Sequence, residues 1–253
     1  MNRSSNWRPL AALLAALVSA AVHGDEVTGK VLDLGLGRGL PGVLISIRDL
    51  KDHEVASGST DGVGAYGVAI PKGQTLPMTA QFRKPNFVND PTLLTIKQTK
   101  TAQDSVSMVQ SEGTTAYYNR AVAELEQDTS AAQRWQKAWA VASLPDADQQ
   151  LVKAQLGANG HTDIVNDVNK ARQTQEVIAA VSKNVRDGGL PHVAVLPNNS
   201  SKLVAIVPDS TSPVQLAKVQ SVLNDAKEKA DVQGQGVYLL KQEAVRNNSA
   251  ALR

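Results

Sequence analysis

The chain contains no cysteine, which excludes disulfides, a thiol nucleophile, thiolate metal sites and a lipid anchor on an N-terminal cysteine. Aromatic residues are few: two Phe, three Trp and four Tyr in 253 residues, with Trp7 inside a leader-like segment. Long apolar runs are missing as well. The unbroken apolar run from Leu10 to Val18 is about half of the roughly 20 residues that a spanning helix needs. Neither sign of charge dominates. There are 26 Lys and Arg against 24 Asp and Glu, and Arg3 and Arg8 of that surplus lie in the leader. A nucleic-acid partner would need a concentrated basic face, and the sequence has no such cluster.

The leader itself is informative. Basic Arg3 and Arg8, the apolar run and the small residues after it have the layout of a secretory signal over residues 1–24. Small residues at the last and third-last positions allow cleavage after Ala20 or after Gly24. The expected location is therefore periplasmic or secreted, with no transmembrane segment after cleavage. An exported chain without disulfides must be held by core burial. At about 230 residues the mature chain can do that, most comfortably as two units.

Composition changes sharply near Gly113. Residues 25–112 are rich in Gly, Pro, Val, Thr and Ile, with turn signals roughly every 8–12 residues, which predicts an all-β region. The expected strands are Val27 to Asp33, Val43 to Arg48, Gly64 to Ile70, Met78 to Arg83, Leu93 to Lys97 and Ser105 to Val109. Residues 113–190 turn helical. Tyr117, Tyr118, Ala121, Val122 and Leu125 recur on one face, and Ser130 and Pro145 are placed to start further helices. A long amphipathic helix opens at Thr162 or Asp163 and stops at Gly188-Gly189. Residues 191–242 read as a small ββαβ unit, with a hairpin around Pro197 to Lys202 and a helix start at Ser212-Pro213. Residues 243–253 read as a flexible polar tail.

The N-terminal region resembles the carboxypeptidase regulatory-like domain, a small β-sandwich similar to transthyretin. The matching residues are Gly29 and Asp33, Leu40-Pro41-Gly42-Val43, Thr60-Asp61-Gly62, Gly64 and Tyr66. They cover chiefly Glu26 to Pro71, and more loosely the chain to Gln110. The resemblance implies a transthyretin-like sandwich in an exported setting and carries over no catalytic residue. On physical grounds, Tyr66 is expected at a sheet end with its hydroxyl on a backbone group.

Motifs that carry chemistry are sparse. Gly37-Arg38-Gly39-Leu40-Pro41-Gly42 matches a dinucleotide fingerprint in form, but Pro41 and the run after Val43 make the next element a strand, so a hairpin turn is expected. His53, His161 and His192 are not spaced to share a metal on one helix face. There is no Gly-x-Ser-x-Gly elbow. The hydroxyls of Asp209 to Pro213 suit a helix cap, with an anion site as the alternative. Glu124 and Glu126 are two apart on a helix and so read as a solvated face. Trp135 and Trp139, one turn apart, are either core anchors or a flat platform for a sugar or peptide, and Phe87 is a further ligand-facing candidate. No catalytic, cofactor or metal residue is assigned.

The expectation is an exported, non-enzymatic binding or scaffolding protein contacting a protein or cell-envelope partner. Its alternatives are a carbohydrate-binding module using Trp135, Trp139 or Phe87, and a hydrolase with His161 or His192 between the two regions. The sequence calls for no cofactor and no nucleic acid.

Overall fold

The computed structural model describes residues 25–88, 94–127, 130–187, 190, 193–198, 202–229 and 236–247. The signal-like segment, the helix stop at Gly188-Gly189 and His192 lie outside the described residues.

Eight strands come first: β1 (Glu26–Asp33), β2 (Arg38–Gly39), β3 (Leu44–Arg48), β4 (Glu54–Ser59), β5 (Ala65–Ala69), β6 (Met78–Arg83), β7 (Leu94–Ile96) and β8 (Val106–Met108). They form two four-stranded sheets. In the first, β1 pairs antiparallel with β2 and β5, and parallel with β8. The second is antiparallel throughout, in the order β4-β3-β6-β7. Alternation explains which faces are hidden. Ile45 and Ile47 of β3 are buried, whereas Leu44 at the start of the strand is 62% exposed. From the first sheet Val27, Val31 and Val68 join Ile45, Ile47, Ala80 and Phe82 of the second in one hydrophobic cluster. Tyr66 of β5 meets Phe82 of β6 edge to face, with ring centroids 5.8 Å apart.

Sequence reasoning missed β2 and β4. The stretch Val55-Ala56-Ser57-Gly58-Ser59 has only one β-branched residue and no clear period. It is extended because it lies opposite Leu44 to Ile47 of β3, an edge pairing that local propensity does not encode. The glycine-rich run is a turn, as expected: Arg38 and Gly39 pair with Asp33 and Leu32, and Gly37 and Gly42 take the positive φ of 63° and 65° that other residues resist.

Helices follow as α1 (Thr115–Glu126), α2 (Ala131–Ala142), α3 (Asp146–Ala158) and α4 (Thr162–Asp187). Thr114 caps α1 by accepting from the Tyr117 amide. Ser130 stands at the α2 cap position without a side-chain capping bond. Helix α2 packs on α4 and on β8, burying Trp135, Ala138, Trp139 and Ala142. Its C-terminal carbonyls are taken up by neighbouring side chains. Gln175 Nε2 donates to Trp139 O at 3.0 Å, and the buried Gln149 donates to Ala142 O at 3.0 Å. Helix α3 ends in a Schellman motif. Gly160, with φ of 86°, donates to Gly157 O, and His161 N donates to Leu156 O.

The last elements are β9 (Ala194–Asn198), β10 (Lys202–Val207), α5 (Pro213–Lys229), β11 (Gly236–Lys241) and α6 (Gln242–Asn247). Strand β10 is central, antiparallel to β9 and parallel to β11. Of the flexible tail expected over 243–253, residues 243–247 belong to α6 and 248–253 lie outside the described residues. Asp209 Oδ1 accepts from the Glu243 amide at 2.6 Å, and Val245 is buried in a cluster with Val204 and Ile206 of β10, against which Leu50 of the β3–β4 turn packs.

One cluster of buried residues runs from Val27 through the helices to Leu203 and Ala226. Among the described residues no helix is long and apolar enough to cross a membrane.

Candidate functional site

The junction between the first sheet and α1 joins several buried or partly buried polar contacts. Asp33 ends β1 and is 3% exposed. Its Oδ1 accepts from the Tyr117 hydroxyl at 2.9 Å and from the Leu36 amide at 3.2 Å. The same tyrosine hydroxyl accepts from the Gln110 amide at 3.0 Å. Burial, with Asp33 adding a smaller push, raises the Tyr117 hydroxyl well above the usual tyrosine range. One face of α1 thus grips the glycine-rich turn. Tyr117 covers Gly35, Arg120 Nε donates to Gly35 O at 3.1 Å, and the Glu124 carboxyl fills the space beside Gly37. A buried carboxylate beside a tyrosine resembles a proton-transfer pair in composition. Here both groups are spent on structure, tying three backbone segments together.

Glu124 and Glu126 do not form the solvated face that their spacing suggested. Glu124 pairs with Lys137 of α2 at 3.6 Å, and Glu126 accepts from Asn159 Nδ2 at 2.7 Å. His161 Nε2 lies 3.5 Å from the same Glu126 oxygen and is 39% exposed. His161 thus stands at the α3–α4 corner, its carbonyl accepting from Val165 as α4 begins. His53 is exposed in the β3–β4 turn beside Asp49.

The three ligand-facing candidates sit in the core. Trp135, Trp139 and Phe87 are 9%, 1% and 9% exposed. The two indole rings pack on each other with centroids 5.9 Å apart. Trp139 also borders a small cavity with Phe82, Val88, Ser107, Met108, Ala140 and Ser143. About 10 Å³ of it is open to the centre of a water molecule, room for one water at most.

At the start of α5, Ser212 and Gln215 form a reciprocal capping box. Gln215 N donates to Ser212 Oγ and Ser212 N donates to Gln215 Oε1. The cap consumes amides that an anion would use, and Asp209 places a carboxylate in the same loop. Among the described residues no three His, Cys, Asp or Glu side chains are grouped to hold a metal.

The expectation for Tyr66 is corrected in its polar detail. Its hydroxyl is buried and has no hydrogen-bond partner among the described residues. Burial raises its ionisation far above the usual range.

Strand β4 presents a different kind of surface. Thr60 N donates to Val43 O, so by alternation the main-chain groups of Ser57 and Ser59 point away from β3. No strand or described backbone group pairs with that outer side. The one charged residue of β4 is Glu54 at its start, where its carboxylate accepts from Ser46 Oγ. From Val55 to Ser59 the strand carries neither charge nor proline, the features that commonly guard natural edges.

No protein-family model matches the chain, and no curated protein matches it. Among solved structures it is similar to a 9R-lipoxygenase from Cyanothece PCC8801, with 11% identity and a TM-score of 0.28. That similarity covers 61% of this chain and spans only 27% of the lipoxygenase. At that distance it carries no argument about fold or activity.

Proposed function

We propose that this chain is an exported, non-enzymatic binding or scaffolding protein that contacts a protein or cell-envelope partner. On this reading the two N-terminal sheets form a sandwich of the carboxypeptidase regulatory-like, transthyretin-like kind. The helical region and the ββαβ unit brace it. The observation that carries the proposal is the outer edge of β4, which no described strand or backbone group pairs, with main-chain donors and acceptors directed outward at Ser57 and Ser59. An extended segment of a partner can add there as a further strand, bound by main-chain hydrogen bonds.

What the other readings need supports the same choice. A glycan module stacks sugars on exposed rings, whereas Trp135, Trp139 and Phe87 are buried. A hydrolase using His161 needs a concave site around it, whereas this histidine lies on a helix corner beside one glutamate.

The test uses the full chain with a photo-crosslinking residue in place of Ser57, in the envelope or culture fraction of the producing cell. A control places the same group at the exposed Ala154 on α3. Specific protein adducts are expected from position 57 and not from 154. Equal labelling from both positions, or turnover of a substrate by the intact protein, would overturn the proposal. N-terminal sequencing of the mature product tests export and should begin at Ala21 or Asp25.

A further inference from the structure

We propose that Asn159 is a spontaneous deamidation site and that the α3–α4 corner, not the sequence around it, sets the rate. Asn159-Gly160 is the one Asn-Gly pair in the chain, and both residues are exposed. The chemistry is intramolecular. The Gly160 nitrogen loses its proton and attacks the side-chain carbonyl carbon of Asn159. A bond forms between Gly160 N and Asn159 Cγ, the Cγ–Nδ2 bond breaks, and ammonia leaves with the proton. Water then opens the cyclic imide at one of its two carbonyls. The product carries at this position either an ordinary aspartyl residue or its isoaspartyl isomer, whose main chain is longer by one carbon. Glycine favours the attack because no side chain shields its nitrogen.

The fold opposes both partners in that step. Gly160 N–H donates to Gly157 O at 3.0 Å, so the nucleophile is tied into the helix end. The electrophile is held as well. Asn159 lies at φ −81° and ψ −1° at the α3 cap, and its Nδ2 donates to Glu126 Oε1 at 2.7 Å. The next amide, His161 N, is bound to Leu156 O at 2.9 Å. Cyclisation therefore requires the Schellman turn to open and the Asn159–Glu126 bond to break. The end of α3 is a place where local opening is cheaper than global unfolding.

Once formed, the product resists reclosure. Conversion removes the amide donor that Glu126 uses and places a second carboxylate beside it. The isoaspartyl form also lengthens the backbone inside a turn whose bonds from Gly160 and His161 fix its length. Deamidation here removes the Asn159 link between the end of α1 and the α3–α4 corner and leaves His161 as the remaining near neighbour of Glu126.

The experiment follows the Asn159 peptide by mass spectrometry in mildly alkaline buffer, for the native full chain, the urea-unfolded chain and two variants. Conversion in the native protein should be slower than in the unfolded chain by about tenfold or more, since each 1.4 kcal/mol of opening cost is a factor of ten. Glu126→Ala, which frees the Asn159 side chain, should speed native conversion. Glu126→Gln, which keeps an acceptor, should stay near the native rate. Equal rates in the native and unfolded chains would overturn the proposal, as would no acceleration in folded Glu126→Ala.

Discussion

Tyr66 lies directly across from Gly29 in the β1–β5 register, and its ring occupies the space where a Gly29 side chain would begin. A Cβ at Gly29 would stand 2.5 Å from the Tyr66 oxygen. The glycine is thus a packing requirement imposed by the tyrosine, which then reaches Phe82 of the other sheet. Gly29→Ala should destabilise the protein by about 1–3 kcal/mol, the usual range for overpacking. Pairing it with Tyr66→Leu should recover part of that loss in a denaturant-based double-mutant cycle. Additive losses would show that the clash is relieved elsewhere.

The Tyr66 hydroxyl supplies a second, opposite expectation. It is buried without a partner among the described residues, so removing it releases an uncompensated desolvation cost. Tyr66→Phe should leave stability unchanged or raise it by about 1 kcal/mol. A clear loss in urea denaturation would mean that the hydroxyl is satisfied after all.

Tyr117 should behave in the reverse way. Its hydroxyl serves Asp33 and the Gln110 amide together. Tyr117→Phe leaves a buried carboxylate and an amide short of partners and should cost about 1–3 kcal/mol. The pH dependence has a definite sign. The folded state holds the Tyr117 proton more tightly than the unfolded chain, which ionises near the ordinary tyrosine value of about 10. Stability is therefore fully present below that pH and declines as pH rises beyond it. Alkaline titration of Tyr117→Phe should show a shallower decline than the parent. Gly35→Ala, whose Cβ would fall 2.2 Å from the Tyr117 ring, should damage the same junction.

Trp139 tests the balance between core and ligand surface. At 1% exposure it contributes packing, and Trp139→Ala should cost about 3–5 kcal/mol. Tryptophan fluorescence of the intact protein should be blue-shifted and indifferent to added oligosaccharides. A saturable shift with a glycan would return the carbohydrate reading to first place.

Helix α6 depends on Val245. A charge there, as in Val245→Asp, would enter the apolar cluster of Val204 and Ile206. It should release α6, seen as faster amide exchange in 242–247, while the main core persists. Unchanged protection would mean that the capping bond from Asp209 to Glu243 is sufficient alone.

Local sequence chemistry determined much of this molecule. Caps, prolines and apolar periods are short-range signals, so most of the strands, the helices α1 to α5 and Pro145 before α3 were legible from residues a few positions apart. Of the glycines Gly157 and Gly160 that could end α3, the structure uses Gly160. Long-range contacts were not. Strand β4 exists because β3 offers it hydrogen bonds, and its own small residues say little. A tryptophan stripe at helical spacing does not reveal whether another surface covers it, and here β8 and α4 supply that cover for α2. Glu126 reads as solvated on α1 alone, since the Asn159 and His161 that engage it are more than thirty residues away in sequence. Which side chains became core, clamp or open edge was settled by packing between distant segments, because burial is a property of the assembled surfaces and not of any one of them.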